Sequence, residues 1–153
     1  MKLSVFILTI MLIYAGAYSV ISIIRPETIV ASTVKGATGK TLVDAQNDGY
    51  LKGFLVLSKD AGIFGLSTVI CGFFILFSGF RKAQKWSWLA FLFGGGVAWI
   101  GGLVLAISIG DGLNILIRAV GAAISAIGLL IPIKIFFGKT ERNDQMEAGT
   151  TEA

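Results

Sequence analysis

Apolar residues in this chain fall into four long blocks separated by short polar breaks, with one extended polar stretch after the first block. The first block runs from Leu3 to about Ile24 and stops at Arg25-Pro26. About 20 residues at 1.5 Å each cross a hydrocarbon core, so a membrane span is predicted over 3–24. The second block, 61–80, carries no charge and ends in Arg81-Lys82-Ala83-Gln84-Lys85. From Trp86 to Gly110 no side chain is ionisable, which predicts a third span over 87–109. Gly110-Asp111-Gly112 is too short for anything but a helix hairpin, and a fourth span follows over 113–137, with Pro132 bending its last turns. The expected fold is all-α: an antiparallel four-helix transmembrane bundle over 1–137. A polar tail over 138–153 is expected to be disordered.

The polar stretch from Arg25 to Lys59 predicts a long loop between the first two spans. Pro26 suits the first position of a short helix, and Lys35-Gly36 through Gly39-Lys40 reads as a loop tip. Between Thr41 and Leu57 apolar residues return, interrupted by Asp44, Asp48 and Lys52. That mixture predicts an interfacial helix or a polar extension of the second span. Ala15-Gly16-Ala17 also resembles a signal-peptide cleavage site that would leave Tyr18 first. The apolar run continues past it to Ile24, so an uncleaved span is the expectation.

Only 14% of residues are charged, against roughly 25% in soluble domains, so this chain lacks the charge a soluble surface needs. The net charge is +4, with no aromatic-and-basic interleaving, which points to a lipid bilayer and its anionic headgroups and away from nucleic acid. The chain has no histidine and one cysteine, Cys71. Histidine-ligated haem, most catalytic zinc or copper sites, a histidine base and an internal disulfide are thereby excluded, and no cofactor or metal is expected.

Four spans place both termini and the Arg81–Lys85 turn on one side. That turn holds Arg81, Lys82 and Lys85 with no acid, and the interface-seeking Trp86 and Trp88 follow at once. The expected protein is therefore a multi-pass protein of the cell membrane with cytoplasmic termini, anchored by these five residues.

Small residues recur every fourth position along the third span at Gly94, Ala98, Gly102, Ala106 and Gly110. Such a ridge lets membrane helices approach closely, and it is expected to pack within the bundle. The competing expectation is a docking ridge for a second copy or a membrane partner subunit.

Three charges near the spans carry the candidate chemistry. Asp60 opens the second span, Asp111 sits in the third turn, and Arg118 lies about a turn and a half inside the fourth. An unpaired charge within the membrane costs roughly 3 kcal/mol or more, so Arg118 is expected to pair with Asp60 or, second, with Asp111. The pair would fix helix register. Alternatively, the three would form a polar pocket at the outer mouth, where Arg118 binds an anionic headgroup or carboxylate.

The first span ending in Arg25-Pro26-Glu27, the Gly-rich second span, and Phe80-Arg81-Lys82-Ala83-Gln84-Lys85-Trp86-Ser87-Trp88 resemble small prokaryotic four-helix membrane proteins of the DoxX-like kind. The resemblance covers about residues 1–137 and implies the fold. Quinone-linked oxidation, which the family name suggests, finds no redox residues here. The expected role is non-catalytic: an accessory or assembly component, or a binder of lipid or a small ligand. The alternative is a small transporter with Asp60 and Arg118 at its outer mouth.

Overall fold

The structure is a computed structural model, describing residues 1–138. The tail over 139–153, for which disorder is expected, lies outside the described residues. Among the described residues every regular element is helical. Helix α1 covers Lys2–Ile24 and ends where Arg25 leaves the helical region at φ −132°, because Pro26 disfavours a helical residue before it. With Pro26 in its first turn, α2 then runs Pro26–Thr38 and stops at Gly39 in the left-handed region, φ 71°. The loop tip is thus displaced towards 39–48, where Asp44 accepts from the Thr41 N–H and hydroxyl and Lys40 pairs with Asp48 at 2.9 Å.

Helix α3 covers Gly49–Ser78, beginning well before the expected start at residue 61. Helix formation tolerates Lys52, Lys59 and Asp60 on an extension where charges reach polar surroundings, so the apolar block marks only part of the helix. A tight turn follows, with a 3-10 segment at Phe80–Lys82 and Ala83 in the left-handed region. Gly79 permits the turn: a Cβ there would stand 2.5 Å from Trp86 Cζ2.

Helix α4 runs Lys85–Ser108 and is not uniformly α. Two π-helical stretches, Phe91–Gly95 and Val97–Gly101, flank Gly96. Then α5 covers Gly112–Leu130, and Ile131-Pro132 separates it from a short α6 at Ile133–Phe137. The expected single helix over 113–137 is thus two pieces, since Pro132 lacks the N–H that would continue the ladder.

Four stretches are long and apolar enough to cross a membrane: Lys2–Ile24, Gly49–Lys82, Lys85–Ser108 and Gly112–Leu130. Large apolar side chains such as Phe6, Phe64, Phe74, Phe93 and Val97 stand exposed on these helices, a surface suited to lipid.

Packing centres on α1, which lies along both α3 and α5. Glycines bring the backbones together. A Cβ at Gly62 would stand 2.8 Å from the Ser19 carbonyl oxygen, and one at Gly128 would stand 2.7 Å from Leu8 Cδ2. Leu8, Leu12, Leu76, Phe80 and Leu129 fill the core between these helices. Helix α4 packs chiefly on α5 and meets α3 near the turn joining them. Away from that turn, α3 and α4 are separated by an open cleft.

Candidate functional site

The cleft between α3 and α4 has a volume of about 530 Å³, within the range of small-molecule sites. It is floored by α1 and α5. Ile75 and Phe91 line one end; Ile29 and Thr33 of α2 line the other. Most of the lining is apolar, and polar groups gather towards the α2 end.

Asp111 organises that end. As the N-cap of α5 it accepts from the Asn114 N–H at 3.1 Å, and the Asn114 side-chain amide donates to it at 2.6 Å. From α2, the Ser32 and Thr33 hydroxyls donate one hydrogen bond to each carboxylate oxygen. Tyr18 of α1 donates to Asn114 Oδ1 at 2.8 Å, so one network ties α1, α2 and α5. Gly36 allows the contact, because a Cβ there would stand 2.5 Å from the Ile109 carbonyl oxygen. Asp111 is 1% exposed. Burial pushes its carboxyl up, but the hydrogen bonds from Asn114, Ser32 and Thr33 prevail and hold it below the usual carboxylate value. With four donors on its two oxygens, Asp111 clamps helices.

Arg118 is placed differently. Its guanidinium donates from Nη1 to the Ala98 carbonyl at 3.2 Å and lies 5.5 Å from the Tyr18 ring and 5.9 Å from the Trp99 ring. These aromatic faces give a partly desolvated cation favourable contact without neutralising it. Trp99 is fixed by Tyr14, stacked at 6.0 Å, and by Gly121, where a Cβ would stand 2.3 Å from its ring. Among the described residues the one ion pair is Lys40–Asp48, so Arg118 has no carboxylate within 4 Å. The expected pairs with Asp60 and Asp111 are not formed. Asp60 is exposed on α3 and lies outside the cleft lining, whereas Asp111 and Arg118 both line it. Asp111, seven residues before Arg118, spends its oxygens on donors from Ser32, Thr33 and Asn114.

The small-residue series also has another setting. Gly94, Ala98, Gly102 and Ala106 line the cleft, and a Cβ at Gly94 would meet nothing within 4 Å. Gly110 adopts φ 70° in the turn before Asp111. A spacing of four overshoots one turn of α-helix and falls short of one turn of the wider π-helix, so the mixed α4 keeps the series on one face. Close packing on this ridge is found at Gly102, which carries the Arg118 guanidinium, and at Ala106, which is buried.

In the basic turn Arg81, Lys82, Lys85 and Trp86 are exposed, and Trp86 donates to Gln84 Oε1 at 2.7 Å. Trp88, expected as an anchor beside it, is buried instead and donates to the Leu129 carbonyl at 3.0 Å. Arg81 lies 5.8 Å from the Phe77 ring and Lys85 6.0 Å from that of Phe137.

Tyr18, Asn114 and Trp99 belong to the site but do not emerge from the reading of charges. Trp99 carries a signal, since it sits mid-span, far from the interface tryptophan prefers. Ser32 and Thr33 carry none, being common residues in a polar stretch. The chain matches no family model, no curated protein and no solved structure in the comparisons made.

Proposed function

We propose that the chain is a multi-pass membrane protein, an antiparallel four-span bundle with cytoplasmic termini and a DoxX-like layout, that binds an anionic amphiphile without catalysing a reaction on it. The carrying observation is Arg118: a cation with no carboxylate partner among the described residues, held by aromatic faces at the side of an apolar cleft. A cation in such a place favours an anion, and the apolar walls favour a hydrocarbon tail. A non-catalytic role is supported by Asp111, the acid nearest in sequence, whose oxygens are occupied by four donors and are not free to act as a base.

The test is purification in mild detergent followed by mass spectrometry of the intact protein. The wild type should carry a lipid-like anion that Arg118→Gln loses and Arg118→Lys partly keeps. An adduct indifferent to both substitutions, or none in a folded wild type, would sink this reading. The transporter alternative rests on Asp60, which is exposed and unpaired by Arg118, so uptake into vesicles that disappears in Asp60→Asn would be needed to revive it.

A further inference from the structure

We infer that the amphiphile has a single acyl chain of limited length, which lies from Arg118 towards Phe91 and reaches the cleft sideways between α3 and α4. This rests on the binding role proposed above and assigns the chemical class: one carboxylate or phosphate head on one hydrocarbon chain.

Length comes first. The guanidinium lies against Gly102, and the cleft ends at Phe91, eleven residues earlier on α4. At about 1.5 Å per residue of α-helix, and less along the two π-helical stretches, this is at most roughly 16 Å, room for an extended chain of up to about a dozen carbons. The far end is closed by aromatic rings: Phe91 meets Phe80 at 5.6 Å, and Phe80 meets Phe136 at 4.9 Å. Phe80 is fully buried. A longer chain would have to displace that packed cluster or bend out of the groove.

Width comes next. Gly65 and Gly72 seat α3 on Ser19 and Leu12 of α1, and Ala61, Thr68 and Cys71 of α3 line the cleft opposite Gly94 and Ala98 of α4. These short side chains leave a groove for a hydrocarbon tail. A two-chain lipid with its phosphate on Arg118 would draw its ester groups among Tyr18, Ser19, Ser22, Thr33 and Asn114, whose donors are already used within the protein, which is costly.

The route follows from what is covered. At the other end α2 lies over the cleft, held by Ser32 and Thr33 on Asp111. Between the helices, Thr68 and Cys71 of α3 and Gly94 and Ala98 of α4 line the cleft and are exposed. That opening faces the surroundings of the apolar helices, which in a bilayer is lipid.

Cys71 is the sole cysteine and lines this opening, so its maleimide labelling in the full-length chain reports occupancy. Saturated fatty acids of about eight to eighteen carbons, lysophosphatidic acid and dioleoyl phosphatidic acid would be titrated as protectants. Protection should strengthen with chain length to about ten to twelve carbons and then level. The two-chain lipid should protect at least about tenfold more weakly. Comparing the fatty acid with lysophosphatidic acid separates carboxylate from phosphate as the head. Gly94→Leu, placed where a Cβ meets nothing, should move the break to shorter chains and leave the shortest acids unaffected. Protection rising unbroken through eighteen carbons, or equal protection by the two-chain lipid, overturns the inference. If no single-chain acid protects while an Arg118-dependent adduct persists, the chain assignment fails and the binding role stands. If the adduct is missing too, both fail.

Discussion

Arg118 and Gly102 are fitted to each other: a Cβ on residue 102 would stand 2.8 Å from Arg118 Nη1 and 2.9 Å from Cζ and Nε. The guanidinium can reach the Ala98 carbonyl because nothing projects from α4 beneath it. Gly102→Ala should therefore push a flexible side chain aside and leave the fold nearly intact. We expect the melting temperature in detergent to change little and the Kd for a twelve-carbon acid to rise about tenfold, a loss of about 1.4 kcal/mol. Unchanged affinity would mean that the guanidinium's position does not matter.

Asp111→Asn should destabilise the chain. The amide would present a donor where the carboxylate now accepts from Ser32, Thr33 and Asn114, leaving at least one buried donor unpaired. A loss of about 1–3 kcal/mol is expected, measured by denaturation in mixed micelles. Ser32→Ala should cost less, since one neutral donor is removed and the carboxylate keeps three others.

The same carboxylate makes stability depend on acid. Its folded value lies below the ordinary one of about 4, so its contribution is fully present above that pH. It is lost as the pH falls through the lowered folded value. Asp44 and Asp48 also titrate below their usual values, through bonds from Thr41 and Lys40 respectively, so the comparison must be differential. Below about pH 4 the wild type should lose more stability than Asp111→Asn, and the two melting curves should converge.

Glycines on different faces should respond in opposite ways. At Gly121 a Cβ would lie 2.3–2.6 Å from the Trp99 ring, which Tyr14 holds in place, so Gly121→Leu should disrupt packing at a cost of about 3 kcal/mol or more. Gly94→Leu enters open space and should leave the melting temperature within a few degrees of wild type. Equal destabilisation would show that the ridge packs against protein.

Four apolar helices are legible in the chain because a hydrocarbon solvent demands long charge-free runs, and few other arrangements produce them. Asp111 and Arg118 stand out for the same reason: charges near apolar runs are scarce. Their partners were not legible. Spacing can bring Asp60 near the mouth of the second span, but which side of α3 it occupies depends on how α3 rotates against α1. The four-residue ridge showed a face without showing what stands opposite it. The packing that removes α3 from α4, and so turns the ridge into a cleft wall, is set elsewhere, by Gly62 on Ser19 and Gly128 on Leu8. The apolar block alone places the second span from residue 61, and the return of apolar residues after Thr41 offers a polar extension as one of two readings; the continuous helix from Gly49 is that extension.

The central claim is that Arg118 reads a negative head above an apolar groove. The most direct measurement compares dodecanoate with dodecanol, equal in tail and different in charge, by equilibrium binding to the wild type and Arg118→Gln. The wild type should prefer the acid by about tenfold or more, and Arg118→Gln should bind both alike at the weaker level, since a hydrogen bond to a charged group contributes about 1.5–3 kcal/mol. Equal binding of the two by the wild type, or a preference for the acid that survives in Arg118→Gln, would contradict it.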